Sequence, residues 1–119
     1  MTYLINIGLD RTGDTTLSPA QVVAEINLRP GLSLWEHTVQ ESDTELTVVA
    51  RVAHMGAFTN TDREFFRLAR ALGQDCVAVL HEDTGLGALH GPNAAAWGAF
   101  NPEFFLQLDG TRLAQPVAA

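Results

Sequence analysis

Between Asn60 and Gly91 the hydrophobic positions change their period, and the change marks a helix followed by a hairpin. Phe65, Leu68, Ala69 and Leu72 recur at i, i+3, i+4 and i+7, the spacing of one buried helical face. Arg63, Arg67 and Arg70 fall on the other side. Thr61 is placed to act as N-cap, with Glu64 as the return half of a capping box. Asp62 and Glu64 put negative charge on the first turn, where the helix dipole favours it. Gly73 suits the C′ position, which calls for a left-handed backbone. The run Cys76-Val77-Ala78-Val79-Leu80 then has the length and β-branched content of a strand. Asp83-Thr84-Gly85 is turn chemistry, so Leu86 to His90 is expected to return as the hairpin partner.

The rest of the chain supplies the elements around this block. Tyr3, Ile5, Ile7 and Leu9 alternate with Leu4, Asn6 and Gly8, as in a half-buried strand. Ser18 as N-cap, Pro19 at N1 and Gln21 at N3 open a helix with Val22, Val23 and Ile26 on its apolar face. Arg29-Pro30-Gly31 ends it. Leu32 to Gln40 and Glu45 to Ala53 read as two strands joined by the hairpin loop Glu41-Ser42-Asp43-Thr44. The order strand, helix, strand, strand, helix, strand is that of a ferredoxin-like, split βαβ domain. The expected fold is therefore α+β, an antiparallel sheet with two helices on one face. An extra hairpin strand and a C-terminal aromatic segment extend it.

That segment begins at Pro92. Trp97, Phe100, Phe104, Phe105 and Leu108 are too many large apolar groups for a solvated tail. They are expected to cover the sheet face that the helices leave bare, or to meet another chain. Residues 1–110 then form one domain, and 111–119 a frayed tail.

Composition narrows the function classes. The 119 residues carry a net charge of −7. Nucleic-acid binding draws its affinity from cationic side chains, so this balance argues against it, as it does against anionic membranes. It fits a partner with a basic surface. One cysteine excludes an intrachain disulfide. The first residues lack the basic start and long apolar run of a secretory signal, and no apolar stretch approaches the ~20 residues of a bilayer span. The expected location is the cytoplasm, in a bacterium or a mobile element that bacteria carry.

Several residues are candidates for chemistry. A concave sheet face bearing Trp35, His37, Thr47 and Arg51 could hold a small anionic ligand, could form a homodimer face, or could lie under the C-terminal segment. Glu36, Glu41, Asp43 and Glu45 could form an acidic edge that engages a basic protein surface, with Trp97 and Phe100 as apolar contacts. Cys76 reads as a buried, inert thiol. A hairpin centred between Gly85 and Leu86 would set His81 opposite His90, but two imidazoles do not make a metal site, and no metal or cofactor is expected. The acids of Asp10 to Thr16 lack the alternation and closing Glu of a calcium loop. The glycines after Thr84 do not open a helix, as a phosphate cradle requires.

No convergent catalytic set emerges. The leading expectation is a non-enzymatic protein that binds a protein partner, as an inhibitor or accessory factor of a bacterial mobile element. The alternative is a small-molecule sensor or small enzyme using the Trp35, His37 and Arg51 face.

Overall fold

The computed structural model describes residues 2–10, 17–41, 45–54 and 61–114. The elements follow in the order β1 (Thr2–Asp10), α1 (Pro19–Leu28), β2 (Leu32–Glu41), β3 (Glu45–His54), α2 (Thr61–Ala71), β4 (Val77–His81) and β5 (Leu86–His90), with a short 3-10 helix at Ala94–Trp97. The fold is α+β. Among the described residues the strands form one antiparallel sheet in the order β2-β3-β1-β4-β5. Because β3 lies between β1 and β2 and opposes both, β1 and β2 run parallel.

The helices form where the sequence places their signals. Ser18 caps α1: its hydroxyl accepts from the Gln21 N–H at 3.3 Å, and its own N–H donates to the Gln21 side chain at 2.7 Å. Pro19 occupies the first turn, where no backbone donor is needed. Helix α2 begins at Thr61 itself, so its cap falls on residue 60, outside the described residues. Glu64 is instead buried, with Arg67 3.8 Å away. Gly73 closes the helix with φ of 67°, as expected of C′.

One sheet face packs on the helices. Ile5, Ile7, Val48 and Val52 meet Val22 and Ile26 of α1, and Phe65 and Leu68 of α2 complete the same core. The opposite face carries Leu4, Val49 and Leu80, and the segment after Pro92 covers them. Phe105 is its anchor, buried to 2 % exposure and tilted against Phe100 with ring centroids 5.1 Å apart. Burying one such ring contributes about 2–3 kcal/mol.

Asn6 fixes the segment's register. It is the polar position on the β1 face that bears Leu4. Its amide donates to the Leu106 carbonyl at 2.9 Å, and its carbonyl accepts from the Leu106 N–H at 2.7 Å. The side chain thus acts as a strand partner for one residue of the segment. Thr38 and Gln40 hold the Leu108 carbonyl at 2.8 and 3.1 Å. Residues 111–114 continue this arrangement: Leu113 N–H donates to the Phe105 carbonyl at 2.7 Å, and Ala114 N–H to that of Pro102 at 3.1 Å. The stretch 115–119 lies outside the described residues.

The hairpin of β4 and β5 departs from the expected register. His81 pairs with Leu86 and Val77 with His90, so the two histidines stand at opposite ends of the ladder. The loop is Glu82 to Gly85, and Gly85, at φ of 74°, closes it rather than sitting at its centre. Its N–H donates to the His81 carbonyl at 2.8 Å. A glycine supplies the left-handed step at the end of such a loop without steric cost. His81 stacks on Tyr3 at 5.0 Å, whereas His90 lies against Phe65 at 5.7 Å. Among the described residues no group of three or more His, Cys, Asp and Glu could hold a metal ion.

Two substitutions probe the covered face. Phe105→Ala should lower unfolding free energy in urea by about 3 kcal/mol, the usual cost of emptying a buried aromatic site. Asn6→Ala should lower it by about 2 kcal/mol, because both polar groups of Leu106 lose their partner. In the second variant hydrogen exchange at the Leu106 amide should accelerate while that of β1 stays protected.

Candidate binding cleft

The C-terminal segment covers the middle of its sheet face and leaves a cleft of about 770 Å³ at one end. The floor is the end of the sheet where β1 and β2 finish and β3 and β4 begin, reached at Gly8, Gln40, Thr47 and Ala78. The wall is the segment itself, through Trp97, Phe100, Phe104 and Phe105. The volume lies in the range of ordinary ligand pockets.

Two glycines make room for this geometry. A Cβ on Gly87 would collide with the Phe100 ring, so only the bare backbone lets that ring lie on β5. A Cβ on Gly8 would meet the Glu45 carboxylate, so Glu45 lies across the strand towards the cleft. Trp97 is positioned by Asp75, whose carboxylate accepts from the indole N–H at 3.0 Å and from the Asn93 amide at 3.1 Å. These donors, the indole first, hold the Asp75 carboxyl below the usual carboxylate range, so it stays ionised. Trp97 and Phe104 remain 65 % and 74 % exposed. Large aromatic groups left so open beside a concave site are suited to contact with another molecule.

Among the described residues the charged groups of the lining are Glu41, Glu45, Asp75 and Arg112. Cys76 also lines the cleft. It is half-buried, and burial, with Asp75 beside it, pushes its thiol pKa up. A protonated thiol is a poor nucleophile. Cys76 is thus half-buried rather than buried as expected.

The sheet face proposed for an anionic ligand is arranged differently from the sequence expectation. A β-bulge between Leu34 and Glu36 leaves Trp35 out of the ladder, 62 % exposed. The bulge shifts every later residue of β2 by one position. Glu36 therefore stands opposite Arg51, where an unbroken ladder would set Trp35, and His37, expected near Arg51, pairs instead with Ala50 of the helix-side core. Arg51 donates to Glu82 through Nε and Nη2 at 2.8 and 3.1 Å, and to Glu36 through Nη1 at 3.0 Å. Two carboxylates neutralise the cation that an anionic ligand would seek. Thr47 lines the cleft instead.

The residues marked for partner contact sort in the same way. Glu41, Glu45, Trp97 and Phe100 line the cleft. Glu36 is held by Arg51. Asp43 lies outside the described residues, as do residues 11–16 of the acidic loop after β1. Sequence reasoning missed Asp75 and Arg112 as neighbours of this site, and named Phe104 only among the apolar groups of the segment. The strand position of Asn6 was the available signal, because a polar group on an otherwise apolar face needs a partner.

The chain matches no protein-family model, and no curated protein or solved structure matches it.

The ionic groups make stability depend on pH with a definite sign. The hydrogen bond from Arg51 lowers the Glu82 pKa from its ordinary 4.5. Burial lowers that of His90 from its ordinary 6.5, against the opposing field of Asp62. In both cases the unfolded chain binds protons more readily, so stability falls as pH falls. The His90 contribution should fade below about its ordinary 6.5, and that of Glu82 below about its ordinary 4.5. Urea midpoints measured across this range should show both steps. Glu82→Gln should flatten the lower step and His90→Gln the upper.

Proposed function

We propose that the protein acts without catalysis, as a small acidic binder of a protein partner, and that the partner docks in the cleft. The observation that carries this reading is convergence. Glu41 ends β2, Glu45 begins β3, and Trp97 and Phe100 lie in the C-terminal segment, yet all four line one concave site. Carboxylates beside exposed aromatic rings suit a basic, partly apolar surface. The element order, with β3 between the parallel β1 and β2, supports placing the fold with ferredoxin-like, split βαβ domains. Such domains serve many functions, so the cleft rather than the fold carries the reading. An inhibitor or accessory factor of a bacterial mobile element, acting in the cytoplasm, fits this acid balance.

Capture experiments test the reading by comparison. Wild type, a Trp97→Ala/Phe104→Ala double variant and a Trp35→Ala control would be immobilised and exposed to a lysate of the source cells. The replaced rings are exposed, so all three proteins should melt within a few degrees of one another. The partner should be retained by wild type and the control and fall at least about tenfold on the double variant. Identical recovery on wild type and the double variant would overturn the cleft as the docking site.

A further inference from the structure

The cleft crosses the sheet rather than running along it. Glu41 belongs to β2, Thr47 to β3, Gly8 to β1, Ala78 to β4 and Leu89 to β5, and all of them line it. Five strands in the order β2-β3-β1-β4-β5 have four gaps of about 4.8 Å, so the floor is about 19 Å long. An extended chain advances about 3.3 Å per residue, and about six residues span that length. Charge is distributed along this axis. Glu41 and Glu45 stand at the β2-β3 end, and Asp75 stands just before β4 at the other. The aromatic wall of Trp97, Phe100 and Phe104 lies along the segment that faces the floor.

Resting on the reading of the cleft as a docking site, we propose that its occupant is an extended peptide segment of the partner, about six residues long, with a cationic side chain at each end and apolar side chains between. The end charges answer the two carboxylate groups, and the apolar side chains answer the rings. Among the described lining residues Arg112 is the cation, and it stands with the carboxylates of Glu41, Glu45 and Asp75. Glu41, Glu45, Asp75, Trp97 and Phe104 are exposed, so individual sequences bind weakly and selectivity comes from having both ends satisfied together.

Cys76 provides the readout, because it is the chain's one thiol and lines the cleft. Labelling with iodoacetamide at mildly alkaline pH would be followed by mass spectrometry. The probes are capped hexapeptides whose first and sixth residues are Arg, Gln or Glu, with Val, Leu, Phe and Thr in varied order between. Arg-ended peptides should slow labelling at concentrations at which Glu-ended peptides do nothing. Glu41→Gln/Glu45→Gln should abolish the preference for Arg at one peptide end, and Asp75→Asn at the other, each with about a tenfold loss of affinity. Slowing by Arg-, Gln- and Glu-ended peptides alike would overturn the charge assignment and leave the cleft as a docking site. Slowing by spermidine at the same concentration as the best peptide would overturn the peptide as occupant. If no peptide slows labelling, the peptide proposal falls, and the docking site stands or falls by the capture comparison of wild type with the Trp97→Ala/Phe104→Ala variant.

Discussion

A sheet has two faces, and two helices on the same side can bury only one of them. Leu4, Val49 and Leu80 would otherwise stand in water on the other. The chain after β5 meets this constraint by folding back across the sheet with Phe105 at the centre of the contact. Its backbone needs partners there, since an irregular segment laid on a sheet leaves donors and acceptors that water no longer reaches. Asn6, Thr38 and Gln40 supply those partners from the sheet. The remaining features follow from this placement.

The cleft is the part of that face the segment does not fill. The rings that bind the segment to the sheet and the rings that line the cleft are neighbours along one stretch of chain. Phe105 is buried, while Phe104 beside it points to the open side. The same fold-back keeps Trp97 next to Asp75, so one hydrogen bond both orients the indole and stabilises the carboxylate. Elsewhere on the face the Arg51 guanidinium is matched by Glu36 and Glu82. That triad ties β2, β3 and the β4-β5 turn together across β1.

Much of the architecture was legible because its determinants are local. Ser18 and Gln21 specify a helix start within four residues, and the 3.6-residue spacing of Phe65, Leu68 and Leu72 specifies a buried face whatever it packs against. Alternation in β1 and β3 set which side chains share a face, and the surplus of aromatics after Pro92 required a surface to cover. Trp97 and Phe100, which line the cleft, were legible for the same compositional reason.

What the sequence determined by itself was therefore the identity and order of the elements, their buried faces, and the need for a cover on the bare side. Only the tertiary structure decided the registers. The bulge at Trp35 inserts one residue with no glycine to announce it, and that single step puts Glu36 in place of Trp35 opposite Arg51 and moves His37 to the other face. The closing role of Gly85 likewise separates His81 from His90. Periodicity is fixed by the backbone's own geometry, one residue at a time. Register is fixed by which pairing buries the most and leaves the fewest polar groups unmatched, and that balance is struck between segments far apart in the chain.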